Sequence, residues 1–487
     1  MTTVLVWYRN DLRVADHPAL HQALADGGAV VPVYIHAPDE QAPWSAGAAS
    51  NWWLHQSLAA LSDSLARLGS RLIIRRGDSA AELSSLIKES GATAVYWNRC
   101  YEPAPAARDR RIAQQLSDAG IHCRQHPAAL LFEPGTVLNK TGEPYKVFTP
   151  FWRACQQRWS PPTPLSSPSA LPAVADGLSC LSLTELDLLP RKAWYAGLHD
   201  IWQPGEAGAH QRLQSFCLSA LALYPQWRDY PDRPGTSRLS PHLHFGEITP
   251  QQILWTLQDW AYRGETGGLT QATESLIRQL GWREFAHHIL HHFPHTSDRP
   301  LNPRFGELLW RQDAQSLLHA WQLGRTGFPI IDAGMRQLWQ TGWMHNRVRM
   351  IVASFLVKNC RIDWRQGARW FWETLVDADL ANNSFNWQWA AGCGADAAPY
   401  FRIFNPMLQS KKFDPEGHYL RRWVPELVAL PKRWIHQPWT APRPVLDQAG
   451  IHLGADYPAP LLDIDQSRRD TLAVFRAHLG PHSAAEN

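Results

Sequence analysis

Four short stretches of this sequence carry residue types that could do chemistry, and each has a plain structural use as well. Gly235-Thr236-Ser237-Arg238-Leu239-Ser240-Pro241 sets small hydroxyls around one arginine ahead of a helical region. Backbone N–H groups, hydroxyls and a guanidinium can wrap a phosphate; the same residues also make an ordinary polar turn that caps a helix. Gln279, Trp282, Arg283 and Ala286 recur at helical spacing, so an amide, an indole and a guanidinium share one stripe. That stripe suits a wet pocket, or a partly exposed helix whose Trp is buried and whose Arg pairs with a Glu. In Trp343-Met344-His345-Asn346-Arg347-Val348-Arg349-Met350, the side chains of Asn346, Arg349 and Met350 share a face. A planar ligand with imide groups would satisfy the amide and the guanidinium there.

The fourth stretch runs from Asp377 to Trp389, where Asp377 and Asp379 stand among amides and indoles. Two such aspartates serve as acid and base, as metal ligands, or as acceptors for the N–H groups of a heterocycle. The neighbouring tryptophans favour the third use, against a solvated acidic loop that caps a helix. A fifth feature, His287-His288-Ile289-Leu290-His291-His292, offers i, i+4 histidine pairs but no third ligand at a metal spacing. It reads as the outer side of a helix, and no metal is expected.

The elements that must position these residues fall into two kinds. From Val4 to about Gln125, apolar β-rich runs alternate with amphipathic stretches, which predicts a parallel sheet covered by helices. Strands are expected over Val4–Tyr8, Ala29–Ile35, Arg71–Arg75 and Ala94–Trp97, with helices over Pro18–Ala25, Ala48–Leu68, Ala80–Ser90 and Ala104–Ala119. No GxGxxG follows the first strand, so the main cofactor is expected outside this doubly wound, Rossmann-like domain. Between about Ser160 and Pro190 the chain turns to Ser, Pro and Leu without periodicity, as an extended connector would. Beyond about Gly205 nearly everything reads as helix: Ala209–Leu223, Pro250–Arg263, Thr270–His292, Ala314–Leu323, Pro329–Thr341, Trp343–Val357 and Trp364–Leu375. The expected fold is therefore α/β followed by all-α, divided as 1–130, a linker over 131–205, and a helical domain over 206–487.

At 487 residues the chain is long enough for two cores. Its formal charge of +3 neither demands nor excludes a nucleic-acid partner, since a basic stripe can hide in a near-neutral total. Seven cysteines without a CxxC pair suggest neither a disulfide framework nor a Cys-rich zinc site. With no apolar run long enough for a membrane span and no signal-like start, a cytoplasmic protein without membrane attachment is expected. The 25 tryptophans exceed what an ordinary core requires and supply rings for stacking and electron transfer.

Taken in order, these stretches resemble the photolyase and cryptochrome flavoprotein family. The resemblance runs from Trp7-Tyr8-Arg9-Asn10-Asp11-Leu12-Arg13 through Trp343-Met344-His345-Asn346-Arg347 to Pro399-Tyr400-Phe401-Arg402-Ile403-Phe404-Asn405-Pro406. It implies FAD in the helical domain. Tyr224, Thr236, Ser237, Arg238, Leu239 and Ser240 would hold the phosphates, and Arg283, Asn346, Arg349, Asp377, Asp379 and Asn383 would surround the rest, with Arg349 paired to Asp377. Asn383 would face the central ring nitrogen, at a position where photolyases carry an amide and plant cryptochromes an aspartate. The family further implies that Gln279, Trp282, Asn346, Arg347, Met350 and Trp389 meet a flipped-out pyrimidine dimer, with Trp282 and Trp389 as a stacking clamp. Trp387, Trp364 and Trp310 would relay electrons to oxidised flavin.

The implied activity is light-driven splitting of cyclobutane pyrimidine dimers in DNA by a monomeric carbon–carbon lyase. Gln279 departs from the pattern, because cyclobutane-specific relatives usually carry Glu there and six-four photolyases carry Gln. The six-four enzymes' His-rich motif is absent, while Asn346 and Met350 follow the cyclobutane pattern. A signalling cryptochrome without repair is the other family outcome; the chain's short run past His478-Leu479-Gly480 and the residues Trp282, Met350, Asn383 and Trp389 weigh against it. A light-independent flavin oxidoreductase would want a nicotinamide site, and none is seen. Gly47-Ala48-Ala49-Ser50-Asn51-Trp52-Trp53-Leu54-His55-Gln56-Ser57-Leu58 is similar to relatives with a methenyltetrahydrofolate antenna, a deazaflavin being the alternative; Trp52 and Trp53 also read as core residues.

Overall fold

The computed structural model describes residues 2–127, 129–160, 162–263, 267–306 and 310–480. Its first part is a parallel five-stranded sheet. The strands are β1 (Thr3–Tyr8), β2 (Ala29–His36), β3 (Ile73–Arg76), β4 (Ala94–Asn98) and β5 (His122–His126), in the order β3-β2-β1-β4-β5. Val4 to Trp7 are buried on both faces of the sheet, in register with Val30 to Val33 on one side and Ala94 to Trp97 on the other. A strand covered on both faces reads as a continuous apolar run, which is why it stands out. Helices α1 (Pro18–Ala25), α2 (Ala48–Arg67), α3 (Ser79–Ser90) and α4 (Pro103–Asp118) provide the crossovers.

Strand β5 was not expected. Its residues, His122-Cys123-Arg124-Gln125-His126, form an edge with only partial burial, so no apolar run marks it. Within the expected linker the chain forms α5 (Phe148–Gln157), whose Phe148, Phe151 and Trp152 join Phe285 and Ile289 in one apolar cluster. The stretch from about 162 to 182 does run without helix or strand.

The second part is helical: α6 (Glu206–Ser219), α7 (Tyr224–Trp227), α8 (Ser240–His244), α9 (Pro250–Arg263), α10 (Gly267–His292), α11 (Gln315–Gln322), α12 (Pro329–Thr341), α13 (Asn346–Ser354), α14 (Trp364–Thr374), α15 (Leu380–Ala391) and α16 (Pro406–Phe413), with shorter turns and a C-terminal helix over Ile464–Leu479. The helix expected over Trp343–Val357 starts later, where the His345 Nδ1 accepts from Arg347 N at 3.1 Å, and ends in a π-turn over Phe355–Asn359. The two parts meet through buried polar contacts. Trp53 on α2 donates to Glu247 at 2.9 Å, and Glu247 also accepts from Gly205 N at 2.7 Å and contacts His242. Trp52 and Trp53 are fully buried, so both are core residues.

Candidate functional site

Helices α7, α8, α10, α13, α14 and α15 and their connecting turns enclose a cavity of about 330 Å³. It is within the size range of small-molecule sites. All four sequence stretches contribute to its wall, though not every residue in them does.

The 235–240 turn forms part of the wall. A Cβ on Gly235 would stand 2.6 to 2.7 Å from Trp227 atoms, so only glycine allows this close approach. Arg238 takes φ +53°, and its guanidinium lies 4.8 Å from the Trp343 ring centroid. Burial, then the neighbouring cations Arg212 and Arg422, hold its pKa below the usual arginine value. No carboxylate pairs with Arg238 among the described residues. A buried guanidinium without an anion, beside the Thr236 and Ser237 hydroxyls, suits a phosphate. Tyr224, Leu239 and Ser240 also line the cavity.

Another part of the wall is built by α13 and α15. Arg349 Nη2 donates to Asp377 at 2.8 and 3.1 Å, and its Nε donates to the Met344 carbonyl at 2.7 Å. Asp379 caps α15, accepting from Asn382 N at 2.8 Å. Burial alone would raise the Asp379 pKa; His287, His244 and Arg283 outweigh it and hold the carboxyl well below the usual range. Asn383 donates from Nδ2 to the Ala368 carbonyl at 3.0 Å, which leaves its side-chain oxygen and a second N–H to the cavity it lines. Arg283 lines the wall and donates to the Ala129 carbonyl at 2.7 Å. Donors and acceptors thus stand together in this wall, as a heterocycle with imide groups requires.

Gln279, Asn346 and Met350 line the same cavity. Trp282, Arg347 and Trp389 are not part of its wall. Trp282 stacks on Phe148, centroids 3.7 Å apart at 10°, and belongs to the α5–α10 cluster. Trp389 packs against the main helical core, and Ala286 is buried in the α5–α10 cluster. The two half-buried indoles therefore sit on different apolar clusters and do not enclose the cavity. Each stands one helical turn from a lining residue, Trp282 from Gln279 and Trp389 from Asn386, which places both beside the cavity. Arg347 donates to Asp229 at 2.9 Å.

Trp387 lines the cavity, and its ring neighbours among the described residues are Phe371 at 5.0 Å and Trp321 at 6.2 Å. Trp364 and Trp310 belong to or pack on the same core, but among the described residues neither makes a ring-to-ring contact with Trp387. Trp364 shares a face of α14 with Gly367, one turn on, and a Cβ at Gly367 would stand 2.1 Å from Trp387. Only part of the histidine run is a surface feature: His291 is exposed, whereas His287 and His288 are buried where α10 packs against α5 and α15. His287 faces Asp379 at 3.5 Å. Cavity residues missed by the sequence reading include Arg228, His244 and Phe371. Arg228, one helical turn after Tyr224 and next to Trp227 ahead of the glycine turn, was the readable one.

A small crevice of about 30 Å³ opens beyond the C-terminal ends of β1 and β4, where the strand order reverses. Ligands of doubly wound sheets enter at this point. An ionic cluster borders it, in which Arg9 lies 3.3 Å from Asp109, and Asn98 and His17 approach Asp11 at 2.8 and 2.9 Å.

Comparison with known proteins matches residues 4–169 to the DNA photolyase family and residues 276–477 to the FAD binding domain of DNA photolyase. A deoxyribodipyrimidine photo-lyase of Agrobacterium fabrum is 46% identical over 97% of this chain and 98% of its own. Cryptochrome-1 of Arabidopsis thaliana is 39% identical over 95% of this chain and 69% of its own. The crystal structure of a bacterial class III photolyase from Agrobacterium tumefaciens superposes with a TM-score of 0.94 at 46% identity, covering 98% of both chains.

Proposed function

Because the chain belongs to the DNA photolyase and cryptochrome family, we infer that it is a deoxyribodipyrimidine photo-lyase, which splits cyclobutane pyrimidine dimers in DNA with blue light. The observation that carries this reading is the one cavity that brings the uncompensated Arg238, the Arg349–Asp377 pair and Asn383 together with Gln279, Asn346 and Met350. The first set fits FAD and the second fits a lesion beside it.

In this reading Thr236, Ser237 and Arg238 hold the diphosphate, with Tyr224, Leu239 and Ser240 closing over it. Arg283, Asn346, Arg349, Asp377, Asp379 and Asn383 surround the ribityl chain and ring system. Bound FAD would supply blue-light absorption and the electron passed to the dimer. Arg349 orients Asp377, and His287 keeps Asp379 anionic so that both carboxylates act as acceptors. The Asn383 oxygen is an acceptor that cannot itself deliver a proton, which suits an enzyme kept reduced. Trp387, Trp364 and Trp310 are the proposed relay for reducing oxidised flavin, supported by their common core. No general acid and base pair is needed.

The lesion would enter beside Gln279, Asn346 and Met350, stacking on the open surfaces of Trp282 and Trp389, with Arg347 on the damaged strand. Undamaged bases resist extrusion more than poorly stacked ones, which supplies selectivity. For the antenna, a methenyltetrahydrofolate is the reading we favour over a deazaflavin, on the likeness of the 47–58 stretch to relatives with that pigment. A cytoplasmic monomer is the proposed working form, and among the described residues no helix is long and apolar enough to cross a membrane.

The test is an assay of cyclobutane and six-four lesions under blue light with the purified protein. Loss of cyclobutane dimers alone is the expected result. Flavin binding with repair of neither lesion would favour the cryptochrome reading, and six-four repair would reassign the specificity to Gln279.

A further inference from the structure

Two residues beside the cavity make contacts that the reading above does not use. Just past α7, Arg228 lies 5.4 Å from the Tyr224 ring centroid and donates from Nη2 to Gln279 Oε1 at 3.3 Å. The next residue, Asp229, accepts from Arg347 at 2.9 Å. This dipeptide therefore straps α10 to α13, with Arg228 and Gln279 both in the cavity wall.

The chemistry of the first contact decides how the Gln279 amide is turned. A guanidinium has donors and no acceptor, so the amide atom facing Arg228 is the oxygen. The amide nitrogen then lies on the other side, 3.4 Å from the Ser275 carbonyl, and one of its N–H groups remains uncommitted. Without Arg228 the amide could turn over and offer its oxygen instead. That difference matters for a lesion that accepts an electron, because charge then builds on the pyrimidine carbonyl oxygens, and a donor already aimed at such an oxygen stabilises it.

We propose that Arg228 is a positioning residue that locks the Gln279 amide so that it meets the pyrimidine dimer as a hydrogen-bond donor. This rests on the repair reading. It gives Gln279 the donor role that an ionised carboxylate at the same position could not fill.

The experiment is a double-mutant cycle with Arg228→Ala, Gln279→Ala and the double variant, all loaded with reduced FAD. Dimer splitting per absorbed photon is measured at saturating dimer-containing oligonucleotide, and dark affinity is measured for damaged and undamaged strands. Arg228→Ala should lower the splitting yield by about threefold or more, the size of one lost hydrogen bond. In the Gln279→Ala background the same substitution should leave the yield unchanged. Arg228→Lys, which keeps a donor, should recover part of the loss. An equal loss with and without Gln279 overturns the proposal. So does an effect confined to affinity for both strands, which would make Arg228 a phosphate contact. Parent protein that splits no dimers would overturn the repair reading first, and the parent alone reveals that case.

Discussion

Asp379 caps α15 with one carboxylate oxygen, accepting from Asn382 N at 2.8 Å, and sets the other 3.5 Å from His287 Nε2. One side chain thus fixes the start of the helix that carries Asn383 and Trp387 and joins it to α10. A residue with both duties should reveal itself in the pH dependence of stability.

Asp379→Asn keeps a good capping residue and removes the charge. The folded pKa of Asp379 lies below its unfolded value, so its contribution is complete above about pH 4 and fades as pH falls through the folded value. The variant should be less stable at pH 7 by about 1–2 kcal/mol. In denaturant titrations across acid pH, the gap to the parent should close below about pH 4. A gap of constant size would mean that the cap or the packing, and not the charge, is what Asp379 provides.

Gly367→Ala should disturb Trp387 directly, since the new methyl would stand 2.1 Å from that indole and 2.7 Å from Leu356. Overpacking of this kind costs about 1–3 kcal/mol. Thermal melting and flavin content of the purified variant check it; unchanged values in both would show that α14 can shift away at no cost.

The Trp282 and Trp389 side chains lie on different clusters, which separates their structural from their binding roles. Losses of folding stability in Trp282→Ala and Trp389→Ala should add, because distant sites do. Losses of dimer affinity should not add if both rings stack on one lesion, where coupling of about 0.5–3 kcal/mol is typical of residues sharing a partner. Additive affinities would remove one of the two indoles from the lesion site.

Lys358 is buried in the π-turn, with Nζ donating to the carbonyls of Pro399 at 3.3 Å and Arg402 at 3.1 Å. Burial, with Arg402 adding to it, pushes its pKa down to about 7 from 10.5. The unfolded chain therefore binds the proton more tightly, and the cost of burying the charge is full below about pH 7 and relieved as pH rises toward 10.5. Relative to Lys358→Met, the parent should gain stability over that window. A flat difference between pH 7 and 10 would show that the amine stays charged.

The sheet was readable because β1, β2 and β4 are buried on both faces and so appear as unbroken apolar runs. Edge strand β5 and helix α5 were not, the first because it is half polar, the second because its apolar face is defined by α10. The site was readable wherever its residues lie close together along the chain, as in Asn346, Arg349 and Met350. What spacing cannot show is pairing across long separations. Trp282 meets Phe148 on another helix, and Arg228 reaches Gln279 from a turn fifty-one positions away. Nothing local signals that α5 and α15 cover His287 and His288, whereas His291 is exposed as the sequence suggests.

The central claim is that a lesion held beside Gln279 and Met350 takes an electron from flavin in the adjoining cavity. Fluorescence of the reduced, FAD-loaded protein, recorded with and without a dimer-containing oligonucleotide, tests it most directly. Quenching by the damaged strand alone, in step with loss of dimers, is the predicted result. Flavin emission that stays unchanged when the damaged strand is bound would contradict it.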